Sequence, residues 1–441
     1  MRSAEAPHVA AESAAFGLSP GLERERIPFV VLQHVEVTAQ LRRLRSILVR
    51  APHVRLLQLG RLDERIAAHL DGVVVAGSYG AGLSTQALAS PDAGNVFLAS
   101  ALAIESGDLH ALERLLALTE ALPESRPGLL SAFGWMPGAR LLGLARALLD
   151  AKPAWWRTVG VAACAMHRVD PGAALTHATT DASTELRRRA LRTVGVCGRA
   201  DLLETCLRAL RDPDGQCVFE AARSALLLGD RAESLSTLEA LAAEGASATS
   251  IAAQQLVLKI VPNDRARALL AMVAHQPGQE RKLIKGIAIL GDPHYVPWLL
   301  EQMSAPMMAR IAAEAFSFLT GLDLSYLDLD RRAPEGAPTV PNEDPRALEV
   351  GLDEDESLPW PDVGKLAAWW QANGGRFAPG TRCFMGGALT LSSCLEVLKT
   401  GFQRQRIAAA EYLALLTPRK PLFAVAAPAW RQQRLLSSMD G

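Results

Sequence analysis

TELRRRALRTVGVCGRADLLETCLRALRDPDGQCVFEAARSALLLGD, residues 184–230, decides the fold. Leu186, Ala190, Val194 and Cys197 recur at i, i+4, i+8 and i+11, one face of a helix, and Arg187, Arg188 and Arg192 fall on the opposite face. Gly198 follows, a residue that takes the left-handed backbone of a helix end at little cost. A second helix carries Leu203, Cys206, Leu207 and Leu210 at i, i+3, i+4 and i+7. Asp212-Pro213 stops it, because proline lacks an amide and clashes with the preceding turn. The next helix runs to Gly229-Asp230, where the pattern starts again.

Outward from this unit the same rhythm holds from Asp92 to Gly321. Inner turns read Arg168-Val-Asp-Pro171, Gly198-Arg-Ala-Asp201, Gly229-Asp230, Asn263-Asp264 and Gly291-Asp292. Ala266, Leu269, Leu270 and Val273 repeat the helical spacing, as do Val296, Leu299, Leu300 and Met303. Two helices per unit of about thirty residues make an α-solenoid, in which each unit covers its apolar stripe only by stacking on its neighbours. The expected fold is all-α: a HEAT-like solenoid over residues 92–324, an N-terminal helical cap over 27–91 and a small α-rich C-terminal extension over 365–441. Residues 1–26 are expected to form a flexible tail. Residues 325–364, with Pro334, Pro338, Pro341 and Pro345 and seven acids between Glu343 and Glu356, read as an exposed Pro-rich acidic linker.

Within the cap, Val31, Val35, Thr38 and Leu41 mark a helix ending near Arg50, and Leu56, Leu59, Leu62, Ile66 and Leu70 a second from about His53 to Asp71. Gly72–Gly82 reads as a glycine-rich connection. After the linker, helices are expected at Lys365–Ala372, Ser392–Thr400 and Gln403–Leu416, a hairpin at Phe377–Gly387, and a basic, extended final twenty residues.

Composition narrows function by exclusion. The 46 Lys and Arg balance 47 Asp and Glu, which argues against a dedicated nucleic-acid binder, whose affinity rests on phosphate neutralisation. Cys164, Cys197, Cys206, Cys217, Cys383 and Cys394 form no CxxC pair and read as small buried apolar groups in a reducing compartment. No stretch is long and apolar enough to span a membrane, and no secretory signal is visible, so the expected compartment is the cytoplasm. HExxH, a Walker-type loop and a GxSxG elbow are all absent, and no cofactor or metal is expected.

Several longer stretches carry a resemblance: Leu32-Gln-His-Val-Glu36, the run Leu62–Gly72, Gly134-Trp-Met-Pro137, the run Ala312–Asp323, Leu358-Pro-Trp-Pro361, Trp369-Trp370, Pro379-Gly-Thr-Arg382 and Thr400–Arg406. Over roughly residues 27–436 the chain resembles a family of bacterial HEAT-repeat proteins found in type VI secretion gene neighbourhoods, beside spike, PAAR-like and adaptor proteins. The resemblance implies the repeat fold and a protein partner of the spike, PAAR-like or effector kind; it transfers no catalytic residue.

Four sets of residues are candidates for a site. Asp63, Glu64, His69 and Asp71 are the densest polar cluster, though their spacing does not align metal ligands; Glu64 is expected to pair with Arg61 or Arg65 and His69 to contact a helix end. Trp369, Trp370, Arg404 and Arg406, with Arg188 and Arg192 on the repeats, are the partner-binding candidates, tryptophan and arginine being enriched at interface hot spots. Arg187, Arg188, Arg189 and Arg192, with Arg42, Arg43, Arg45 and Arg50, motivate a DNA-binding alternative of glycosylase type, for which Trp155, Trp156 and Asp170 are the aromatic and acidic candidates. The expected function is non-enzymatic: a protein-binding scaffold, adaptor or chaperone acting through its concave face. A site in the cap or the C-terminal region is the enzymatic alternative.

Overall fold

The computed structural model describes residues 27–335 and 354–439. The described chain is an all-α solenoid-like array with two minimal antiparallel strand pairs. It opens with α1 (Pro28–Leu48), α2 (Leu56–Val75) and α3 (Ser78–Ala87). The array follows as α4 (Ala93–Ser106), α5 (Leu109–Ala121), α6 (Arg126–Trp135), α7 (Gly138–Leu149), α8 (Ala154–His167), α9 (Ala173–Ala178), α10 (Thr184–Cys197), α11 (Leu203–Arg208), α12 (Gly215–Leu227), α13 (Glu233–Ala243), α14 (Ala248–Leu258), α15 (Asn263–Ala274), α16 (Glu280–Leu290), α17 (Val296–Gln302) and α18 (Ala309–Thr320). Even-numbered helices from α4 to α18 touch one another in succession and form one row, and the odd-numbered helices pack against it.

The turns are those the sequence marks. Gly107, Arg168, Gly198, Gly291 and Gly321 end even-numbered helices in the left-handed conformation. A second device joins neighbouring units. Arg157, fourth residue of α8, pairs with Asp181 ahead of α10, and Arg187, fourth residue of α10, pairs with Asp212 ahead of α12. Each aspartate also accepts the backbone amide two residues on, Ser183 and Asp214. One carboxylate thus fixes both the turn and its neighbour's helix.

Helix α2 runs on to Val75 and α3 occupies Ser78–Ala87, so the Gly72–Gly82 stretch is helical apart from a break at Gly77, whose φ is +56°. Glycine inside a helix costs only about 1 kcal/mol, which packing of α3 on α4 offsets.

The acidic linker is corrected in part. Its two described ends come together as β1 (Asp330–Arg331) and β2 (Trp360–Pro361), an antiparallel pair. Glu354 and Asp355 are engaged by cations: Arg281 reaches both and Lys285 reaches Glu354, which stays exposed, while Asp355 is buried. The acids between Glu343 and Asp353, like the tail over residues 1–26, lie outside the described residues.

The C-terminal region comprises α19 (Val363–Asn373), a hairpin of β3 (Cys383–Phe384) and β4 (Gly387–Ala388), α20 (Leu391–Thr400), α21 (Gln403–Leu416) and α22 (Ala429–Met439). The final residues are therefore a helix, with Ala429, Gln432 and Leu436 buried on one side. This region is not an appendage. Helix α21 lies against the even-numbered row: Glu411 pairs with Lys259 beyond α14, and the Tyr412 hydroxyl donates to the Ile289 carbonyl of α16. The segment after α21 runs along the helix ends, with Arg419 N–H donating to Leu227 O and Leu422 N–H to Val196 O.

The same region ties the two ends of the array together. Arg55 pairs with Asp323 at 2.7 Å, and Gln403 N–H donates to Val54 O at 2.8 Å. Arg45 donates to the carbonyls of Ala426 and Ala427, and Arg431 to those of Gly134 and Met136. The array is closed, and its concave face between α12 and α18 is covered by its own C-terminal chain.

Candidate functional site

The polar cluster on α2 does not converge. Asp63 is 1 % exposed and faces α1, where Arg45 reaches it through Nε at 2.5 Å and Nη2 at 3.2 Å. Its second oxygen also accepts the Ala429 amide at 2.7 Å, so one buried carboxylate fastens α1, α2 and the start of α22. Glu64 and Asp71 are exposed, and among the described residues no ion pair joins Glu64 to Arg61 or Arg65. Adjacent helical positions point about 100° apart, which separates Glu64 from its buried neighbour. His69 meets His34 of α1, Nδ1 to Nδ1 at 3.0 Å, instead of a helix end. Burial, His34 and Arg65 together hold His69 below its ordinary pKa. Among the described residues no cluster of three or more His, Cys, Asp or Glu side chains could hold a metal ion.

The C-terminal candidates are structural. Trp369 and Trp370 are half-buried and stack edge-on against Phe316 of α18. Arg404 pairs with Glu314 at 2.7 Å and donates to the Arg50 carbonyl. Arg406 is wholly buried and donates to Leu398 O, Gln403 Oε1 and Gln432 Oε1. It serves as a core junction, not a partner-binding group, because helices α20 and α22 close over it.

Three of the arginines proposed for DNA are engaged elsewhere. On α1, Arg43 pairs with Asp92, Arg45 with Asp63, and Arg42 donates to Ser46 and Ser131. Trp155 is buried, donates to Thr119 Oγ1 and lies under Arg126; Trp156 packs into the N-terminal core. Asp170 pairs with Arg199. These three form no common site. A basic group does remain on the even row, where Arg192 reaches Glu220 at 3.4 Å and Arg223 stands beside Glu220 and Glu411.

Two cavities among the described residues bear on a site. A central one of about 680 Å³ lies among the end of α1, α14, α16, α18, α21 and residues Glu354–Ser357. Its charged lining is mostly paired: Glu411 with Lys259, Glu314 with Arg404, Glu354 with Lys285. Burial pushes the Glu314 carboxyl up, whereas at Glu411 the cations Lys259 and Arg223 outweigh burial and hold it down. His53, on the same wall, is held below its ordinary pKa by burial and by Arg404.

The second is a cleft of about 980 Å³ at the N-terminal end, between α2 and α3 on one side and α4 and α5 on the other. Val73, Val74, Ala81, Leu88, Leu102, Leu115 and Leu118 line it, with Glu105, Asp108 and Arg114 at its edge. Ser84 Oγ is buried there without a hydrogen-bond partner. Because His34 lies opposite His69 and Arg45 opposite Asp63, α1 and α2 are antiparallel, and the first turn of α1 stands beside the last turn of α2. Phe29 is 73 % and Val75 71 % exposed, with Ile27, Val30 and Val74 also open. The apolar rim is continuous with the cleft through Val74.

Sequence reasoning missed this cleft and the Glu220–Arg223–Glu411–Lys259 group. A signal for the latter exists: Glu220 and Arg223 sit one turn apart in a helix whose remaining residues, Ala221 to Leu227, are apolar or small.

Neither a family model nor a curated protein matches the chain. Among solved structures it is similar to that of an engineered protein, at 13 % identity and a TM-score of 0.31, over 88 % of this chain and 99 % of that one. So slight a likeness carries no argument about function.

Proposed function

We propose that the protein is a non-enzymatic scaffold, of adaptor or chaperone kind, that docks a partner protein at its N-terminal end. The observation that carries this reading is the apolar cleft between α2–α3 and α4–α5 with its exposed rim of Phe29, Val74 and Val75. Contiguous exposed apolar surface is costly to leave in water and marks contact surfaces for other chains. The concave face first expected to bind is covered by α21 and the segment after it, so this reading takes the exposed N-terminal cleft as the docking surface. By resemblance the partner is a type VI secretion spike, PAAR-like or effector protein, and the compartment is the cytoplasm. No helix among the described residues is long and apolar enough to cross a membrane.

Tagged protein and a V74D/V75D variant, both changed only at exposed positions, would be used for capture from the native bacterium with and without nuclease, read by mass spectrometry. Proteins that survive nuclease and disappear with the variant support the reading. Capture that vanishes with nuclease, or that ignores the variant, overturns it.

A further inference from the structure

We infer that the wall formed by Arg188, Arg189 and Arg192 of α10, Arg223 of α12 and Arg50 after α1 is a binding site for a small, multiply charged phosphate compound. Arg223 is nine-tenths buried, and its closest carboxylates, Glu411 at 3.8 Å and Glu220 at 3.9 Å, both lie beyond hydrogen-bond range. Its Nη1 has no hydrogen-bond partner, and Oε2 of Glu220 is likewise unsatisfied. A buried guanidinium presents five donors in a fixed fork, and leaving such donors unmade is costly. Among the described residues, no hydrogen bond or ion pair reaches the side chains of Arg188 or Arg189. Arg192 has only the 3.4 Å contact with Glu220. Burial first, and the neighbouring arginines after it, lower the pKa of Arg192 and bring that of Arg189 down to about 10.

Arg192 and Arg223 thus share Glu220 and a Glu411 already engaged by Lys259, and Arg188 and Arg50 add their charge to that of Arg192. Like charges held together without compensation destabilise a fold, and an anion bound among them removes that penalty. Guanidinium forks match phosphate oxygens in bidentate geometry, and a multiply charged phosphate offsets several of these cations where a carboxylate offsets one. Arg50 opens the group onto the cavity of about 680 Å³, which Lys259 and Glu411 line beside it. That volume suits a small molecule. This inference does not depend on the N-terminal docking surface.

The test is binding of inorganic pyrophosphate to the full-length protein, by calorimetry and by thermal unfolding against sodium chloride of equal ionic strength. The unfolding midpoint is expected to rise by several degrees with pyrophosphate only. R189Q/R192Q is expected to weaken binding at least tenfold while its unliganded midpoint stays level or rises, since repulsion is relieved. R50Q, at an exposed helix end, supplies the same readout should the double variant fail to fold. Equal effects of pyrophosphate and chloride, unchanged pyrophosphate binding by both variants, or a response to duplex DNA without one to pyrophosphate would each overturn the inference.

Discussion

Asp63 holds three elements through one carboxylate, so its loss leaves Arg45 charged and buried. Breaking a buried pair from one side costs about 3–5 kcal/mol. D63A is expected to lose that much in urea unfolding, and R45M/D63A to recover part of it because no lone charge remains. An unchanged midpoint in D63A would refute the role of the pair. His34 and His69 make a different kind of contact. Their 3.0 Å Nδ1–Nδ1 approach needs one donor and one acceptor, which two imidazolium rings cannot supply. His69 is held below its ordinary pKa of about 6.5, as are His53 and His167, each by burial first. The unfolded chain then takes up protons first as pH falls. The stability these groups contribute is complete above 6.5 and is lost as pH falls from there through their folded pKa values. Denaturant midpoints measured from pH 7.5 to 5.5 should fall, and H69Q should flatten part of that slope; an identical slope in H69Q would remove His69 from the account.

Among the elements, the ends of the even-numbered helices do two jobs. Gly291 and Gly321 adopt φ of +66° and +75°, and a Cβ on either would fall on a carbonyl of the β3–β4 hairpin, Cys383 O or Met385 O. The hairpin uses this closeness: Cys383 N–H donates to Gly291 O, and Met385 N–H to Phe318 O. Gly245 has a similar φ of +71° but open space around its Cβ position. G245A is expected to cost about 1–2 kcal/mol for the left-handed backbone alone. G291A should cost clearly more, because the Cys383 carbonyl must also move. Equal losses in the two variants would show that the hairpin contact contributes nothing.

At the scale of the molecule, closure depends on the C-terminal chain. Trp430 stacks edge-on against Trp135 with ring centroids 4.7 Å apart, Arg431 caps α6, and the Ala429 amide meets Asp63. A chain ending at Leu416 keeps the helix pairs, each buried against its neighbours, but loses these ties. Its radius of gyration in small-angle scattering is expected to increase and its unfolding to become less cooperative. Scattering identical to the full chain would mean that the array holds its closed shape unaided.

The array itself was legible because its causes are local. A 3.6-residue apolar spacing, glycines at helix ends and Asp-Pro stops act over a few residues and are written in order along the chain. Gln403–Leu416 is read with both boundaries correct, and the hairpin near Phe377–Gly387 is where its glycines place it. What the sequence could not carry is contact between distant residues. Arg404, Arg406 and Asp63 have the residue types of surface or site groups; Asp63 and Arg404 meet chain more than three hundred positions away, and Arg406 is buried by the packing of α20 and α22. The same holds for Arg223, whose carboxylate neighbour Glu411 is brought to it only by α21 folding over the array. Local spacing therefore determined the helices and their pairing. Tertiary closure decided which charges are buried, which are left without partners, and which apolar end stays open, because burial is a property of what packs over a residue and not of its neighbours in sequence.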